Sequence, residues 1–264
     1  MNRQLSVALN AALLPTNSDF TGSTAVVIDV LRATTVMTTA GANGATSLMT
    51  FAEVDQARAA ARTFDPPALL CGERHCERIE GFDCGNSPSE YIPERVEGKP
   101  VILTTTNGTR AIQAACTADR LLVASFLNLE SVVRAIRGEP QVQLICAGTN
   151  GDVTLEDILL AGAIADRCNA ISNRHLDDSA RLAIAAWREV TTAIDDEVDL
   201  ETALAANLVR SLGGRNLVAL GYDQDVRRCA RVDIIEGYVE RVAGDNRFEY
   251  RASTTEGLSN AETT

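Results

Sequence analysis

At 264 residues, with 45% hydrophobic and 23% charged side chains, the chain is long enough to bury a large core without staples and too apolar for wholesale disorder. Its 36 acidic residues outnumber 24 basic ones, for a net charge of −12; this argues against a nucleic-acid backbone as partner, but not against a small anion, which feels local charge. No apolar run approaches the roughly 20 residues that span a bilayer, and the N-terminal stretch lacks the dense apolar segment and cleavage site of a secretion signal.

In chain order, short β-rich runs alternate with helical patterns. Residues 25–30 (AVVIDV) read as a buried strand, with a helix starting in 33–40. Residues 45–51 read as a second strand, and 53–64 as an Ala-rich helix stopped by Pro66 and Pro67. Further strands are expected at 68–71, 101–105, 121–124 and 142–147, with helices from Thr109, Asn128 and Thr154. From Thr154 to Gly213 the pattern is mostly helical. In 232–250, Gly244-Asp245-Asn246 lies between β-like flanks, as in a hairpin. The alternation predicts an α/β fold, a layered α/β/α arrangement with a largely parallel or mixed sheet. With no repeat or linker, residues 1–251 are expected to form a single domain and the small, polar residues 252–264 a flexible C-terminal tail. Ser87-Pro88-Ser89-Glu90 and Thr154-Leu155-Glu156-Asp157 have helix-start patterns, so Glu90 and Asp157 have a capping reading beside a functional one.

The seven cysteines are odd in number and scattered, which points to a reducing cytoplasm. Cys71, His75, Cys76 and Cys84 lack the spacing of a zinc knuckle, and Cys71 falls in a buried strand. GxxxxGK[ST], HExxH, GxSxG and a strand-borne GxGxxG are all missing.

Ligands of α/β sheets collect at strand carboxyl ends, and five such ends are rich in polar residues. After the first strand, Asp29 can bind Mg²⁺, act as a nucleophile or cap the next helix, and Arg32 can fork a phosphate. A haloacid-dehalogenase phosphatase would have a second Asp where this chain has Leu31. Glu73 and Arg74 follow Gly72 at another strand end. The loop 81–88 brings Asp83, Asn86 and Ser87 to a helix start, where backbone amides can meet an anion. Loop 104–110, with Thr105, Thr106, Asn107, Gly108, Thr109 and Arg110, has the makings of a lysine-free oxyanion cradle. Gly148 and Thr149 permit close approach of a ligand, and Glu156 and Asp157 are candidate metal ligands. Lys99 is the one lysine against 23 arginines, so guanidinium forks are the expected grip on an anion. Together these features point to Mg²⁺-assisted phosphoryl chemistry.

The segments VIDVLRATT, CGERHCERIEGFDCGNSPSEY, LTTTNGTRAI and CAGTNGDVTLEDILLAG, with SLGGRNLVALGYDQDVRRCARVD further on, resemble the 2-phosphosulfolactate phosphatase family in order and spacing over residues 24–233. The resemblance implies a cytoplasmic α/β hydrolase that converts (2R)-2-phospho-3-sulfolactate to 3-sulfolactate and phosphate with Mg²⁺, in coenzyme M biosynthesis. Homologues in organisms not known to make coenzyme M leave another small acidic phosphoester as an alternative. A non-enzymatic small-anion-binding module is a second alternative, disfavoured because anion binding has no use for clustered carboxylates.

Placed on those motifs, the chemistry assigns Asp29, Arg32 and Glu73 to catalysis. Substrate binding falls to Arg74, Thr105, Thr106, Asn107, Gly108, Thr109, Arg110, Asn86, Ser87, Gly148 and Thr149, and metal binding to Asp29, Asp83, Glu156 and Asp157. An aspartyl-phosphate intermediate and direct attack by metal-bound water both stay open. Loop 104–110 suits phosphate and sulfonate alike. His75 reads as a partly exposed loop residue, and Cys76 and Cys84 receive no role. A homodimer is the default expectation from oligomer frequencies.

Overall fold

A computed structural model describes residues 3–195 and 197–253. The first half runs β1 (Gln4–Ala8), β2 (Thr24–Ile28), α1 (Ala33–Ala42), β3 (Ser47–Thr50), α2 (Val54–Ala61), β4 (Leu69–Arg74), β5 (Glu77–Arg78), α3 (Pro93–Val96), β6 (Pro100–Thr104), α4 (Gly108–Ala114) and β7 (Arg120–Ala124). The second runs α5 (Leu129–Ile136), β8 (Gln141–Cys146), α6 (Leu155–Ser172), β9 (His175–Leu176), α7 (Asp178–Thr192), α8 (Leu200–Arg210), α9 (Leu212–Ala219), α10 (Asp223–Cys229), β10 (Gly237–Arg241) and β11 (Arg247–Ala252).

The strands form one mixed sheet in the order β5-β4-β6-β3-β11-β10-β7-β2-β8-β1-β9. Two parallel blocks, β4-β6-β3 and β7-β2-β8-β1-β9, are joined by the antiparallel β10–β11 hairpin. β2 (TAVVI) is buried along its whole length, as an apolar, β-branched run covered on both faces must be. Its alternate residues feed two cores. Val26 and Ile28 join Leu144, Ile164, Trp187 and Leu204 beneath α5–α8, while Val27 meets Val123, Met37 and Ala111 beneath α1 and α4. The expected α/β/α layering is therefore present.

Passing through the antiparallel hairpin reverses the sense of the second block relative to the first. Neighbouring strands twist by about 20–25° each, so the five steps from β6 to β2 accumulate roughly 100–125° and swing the two blocks' carboxyl ends toward one another.

Some features depart from the sequence reading, among them the short strands β5 and β9, which were not expected. β1 was not expected, yet its alternating burial places Leu5 and Val7 in the core beside β8. Ser87 starts only a short 3₁₀ turn at Pro88–Glu90, with no side-chain cap. The Gly244 hairpin forms as expected and lies in mid-sheet, between β3 and β7. Residue 252 ends β11, and the remainder of the expected tail, from 254, lies outside the described residues. Among the described residues, no helix is long and apolar enough to cross a membrane.

Candidate active site

A cavity of about 380 Å³ opens where the carboxyl ends of β2, β4, β6 and β8 meet. Asp29 and Arg32 enter from β2, Glu73 from β4, Thr105, Thr106 and Asn107 from β6, and Thr149 and Asn150 from β8. Gly213 and Asn216 of α9 close the opposite side.

Asp29 is buried and does two things at once. Its Oδ1 accepts from the Ala33 amide at 3.1 Å, capping α1, while the side chain also lines the cavity. Burial raises its pKa from 3.8 to about 7; the Glu73 and Glu156 carboxylates push the same way, against the Ala33 hydrogen bond and Arg32. Gly108 leaves room for it, since a Cβ there would stand 2.8 Å from Asp29 Oδ2. Glu73 accepts from the Thr106 amide at 2.9 Å and the Cys76 amide at 2.8 Å, one on each oxygen, and so ties the β4 and β6 loops together. The Thr106 amide is therefore spent within the protein. Thr105, Thr106 and Asn107 of loop 104–110 line the cavity. Asn107 Oδ1 in turn accepts from the Asn150 amide at 3.2 Å.

Arg32 donates to Asp225 Oδ2 at 2.6 Å and to the Cys76 carbonyl at 2.9 Å, and stacks 4.6 Å over the Tyr222 ring. Ser87 is drawn into the same network, donating to Asp225 Oδ1 at 2.6 Å rather than capping a helix. Asn86 lines the cavity with a buried Oδ1 that has no partner among the described residues.

Glu156 and Asp157 part company although they are adjacent. Asp157 gives one oxygen to the Val30 amide and the other to the Gly148 amide, both at 2.9 Å, locking the ends of β2 and β8 together. Glu156 has an unpartnered, buried Oε2, and its Oε1 fills the space a Cβ on Gly213 would need. Burial raises both acids' pKa values, and for Asp157 the neighbouring Glu156 and Asp29 add to it.

Several expected ligand residues face elsewhere. Arg74 donates to the Ala52 carbonyl at 2.7 Å and to Thr104 Oγ1 at 3.0 Å, bracing β4 rather than lining the cavity. Asp83 is exposed and accepts from the Leu70 amide at 2.8 Å, near the start of β4. Arg110 is exposed on the outer side of α4, whereas Thr109 turns inward to bond the Thr105 hydroxyl at 3.2 Å. Glu90 accepts from the Gly85 amide at 3.1 Å and caps nothing. His75, exposed as expected, nonetheless lines the cavity, as does Cys76. Asn150, Gly213, Asn216 and Asp225 were not singled out from the sequence. The Ser211-Leu212-Gly213-Gly214 helix start was the available signal: Ser211 Oγ accepts from the Gly214 amide at 3.0 Å.

Among the described residues, no group of three or more His, Cys, Asp or Glu side chains converges as a metal cage. Mg²⁺ needs no such cage, because it keeps several waters and takes one or two carboxylates plus substrate oxygens. Asp29 and Glu156, two buried hard-oxygen donors with Glu156 Oε2 left unpartnered, fit that requirement.

A model of the 2-phosphosulpholactate phosphatase family matches residues 9–241. The probable 2-phosphosulfolactate phosphatase of Symbiobacterium thermophilum is 42% identical over 83% of this chain and 91% of its own. Proteins of the same printed name from Caldanaerobacter subterraneus and Thermotoga petrophila are each 38% identical, over 79% and 81% of this chain and 83% and 86% of theirs.

Proposed function

This chain belongs to the 2-phosphosulfolactate phosphatase family and is a phosphoric monoester hydrolase, and on that premise we propose that it hydrolyses (2R)-2-phospho-3-sulfolactate to 3-sulfolactate and phosphate with Mg²⁺. One observation supports the metal more than any other. Arg32 is the only Lys or Arg in the cavity lining among the described residues, while Asp29 and Glu73 line the same cavity and Glu156 lies buried beside it. A substrate bearing phosphate, carboxylate and sulfonate does not enter such a cavity without a further cation.

Asp29 and Glu156 would hold that cation, which supplies charge neutralisation of the phosphate and orientation of the attacking oxygen. The protein's own groups do the rest. Arg32, fixed by Asp225, Cys76 and Tyr222, binds the phosphate oxygens with a guanidinium that does not have to reorganise. Glu73 positions loop 104–110 by holding the Thr106 amide, and the side chains of Thr105, Thr106 and Asn107 hydrogen-bond a second oxyanion. Asn86 Oδ1 is a buried acceptor suited to an attacking water. The hydrolysis is one-step if that water strikes phosphorus directly. It is two-step, with retention at phosphorus, if Asp29 is phosphorylated first.

The test is phosphate release from racemic 2-phosphosulfolactate, with and without Mg²⁺, beside phospholactate and phosphoglycolate. Mg²⁺-dependent release favouring the sulfonated ester is the expected result. Equal or faster release from the unsulfonated esters would move the substrate to another small acidic phosphoester. No release by folded protein with metal present would overturn the enzymatic reading in favour of an anion-binding module.

A further inference from the structure

On the far side of the Arg32 partner Asp225 lies a second cavity, of about 450 Å³, which Asp225 lines. Arg227 and Arg228 of α10 and Arg231 just beyond it line one side, and the apolar Leu127 and Ile235 lie among its other walls. None of the three arginines has an ion-pair partner among the described residues. In a chain of net charge −12, three unpaired arginines in one concavity form a local concentration of positive charge.

Asp225 is the one carboxylate in the lining, and it does not neutralise them. Its Oδ2 is taken by Arg32 and its Oδ1 by Ser87, both at 2.6 Å. Three solvent-exposed arginines without ion-pair partners among the described residues, and an apolar wall, thus line the cavity. That is the complement of a small carbon skeleton bearing several oxyanions. Asp225 also sets its location: the same carboxylate that lines this cavity holds the arginine of the first.

We propose that the second cavity is a binding site for a small polyanion, a molecule carrying two or more phosphate, sulfonate or carboxylate groups, separate from the active site and linked to it through the Asp225–Arg32 pair. The site stands on its own geometry and does not depend on which phosphoester the first cavity hydrolyses.

Calorimetric titration of the full chain with pyrophosphate, in about 150 mM salt to screen weak surface contacts, tests it. In metal-free buffer, where the acids of the first cavity keep an anion out, one site per chain is expected in the parent protein. No site is expected in the Arg227→Ala/Arg228→Ala/Arg231→Ala variant, with Mg²⁺-supported phosphoester hydrolysis within twofold of the parent. If that variant misfolds by circular dichroism, Arg228→Gln/Arg231→Gln replaces it and is expected to weaken the second site at least tenfold. No site in the metal-free parent protein, or an undiminished site in a folded variant, would overturn the proposal. A parallel titration with inorganic phosphate is expected to fill the second site at least tenfold more weakly than pyrophosphate; equal affinity would refute the requirement for more than one oxyanion.

Discussion

Arg32 and Asp225 meet at 2.6 Å across 193 residues of sequence, both almost wholly buried. Removing one partner of such a pair strands a desolvated charge, at a cost of about 3–5 kcal/mol. Asp225→Ala is expected to lose stability on that scale in denaturant melts. Asp225→Asn keeps an acceptor for the guanidinium and is expected to lose less. If Arg32 binds phosphate equally in ground and transition states, both variants raise KM more than they lower kcat. An Asp225→Ala protein as stable as the parent would show that the pair does not form.

Glu73 offers a different kind of test. Two backbone amides, of Cys76 and Thr106, point at its two oxygens. Gln keeps the shape but sets an N–H against one of those amides, a conflict worth about 1–3 kcal/mol. Glu73→Gln is expected to lower kcat/KM by on the order of 100-fold through misplacement of loop 104–110. Steady-state kinetics beside a denaturant melt would measure both losses, and near-parent kcat/KM would contradict the clamp.

Gly213 separates stability from metal binding. It lies in the first turn of α9, and a methyl group there overlaps Glu156 Oε1. Ala is intrinsically the better helix former by about 1 kcal/mol. Gly213→Ala is expected to keep its fold yet need at least tenfold more Mg²⁺ for half-maximal hydrolysis. An unchanged Mg²⁺ requirement would remove Glu156 from the metal site.

The buried Asp29 makes stability pH-dependent in a definite direction. Burial raises its pKa from 3.8 to about 7, so the folded protein binds the proton more tightly than the unfolded chain. The contribution is complete below the unfolded value and fades as pH rises from about 4 through 7, at roughly 1.4 kcal/mol per unit. Glu156 and Asp157, also raised, act in the same sense. Metal-free protein is expected to melt at lower temperature at pH 8 than at pH 5, with a shallower slope in Asp29→Asn. Identical slopes would refute the assignment. Mg²⁺ bound at the acids is expected to restore the loss at pH 8.

The strand ends were legible because hydrophobic runs stop abruptly at Asp29, Glu73 and Thr105, and α/β sheets bind ligands there. What periodicity does not encode is where neighbouring polar side chains point. Thr109 and Arg110 are consecutive, about 100° apart around α4, and only Thr109 faces inward. Glu156 and Asp157 differ by the same rotation, and only Glu156 keeps an oxygen free. Asp225 was beyond reach for another reason: its role exists only once α10 packs beside the β2 end, and no local pattern announces a contact that distant. Likewise, alternation identified a hairpin at 232–250 but not its neighbours in the sheet.

That hairpin has a consequence for how the chain matures. The two parallel blocks are complete in sequence by residue 176, yet they join only through β10 and β11, some sixty residues later. During vectorial synthesis, at about 5–20 residues per second, β3 and β7 present raw edges that invite pairing with another nascent chain. Asp29 and Glu73 belong to different blocks, so the cavity they line needs both blocks joined through the late hairpin. Chains cut short before residue 237 are therefore expected to lack hydrolase activity and to aggregate through the open β3 and β7 edges, which activity and light-scattering assays on such truncations would check.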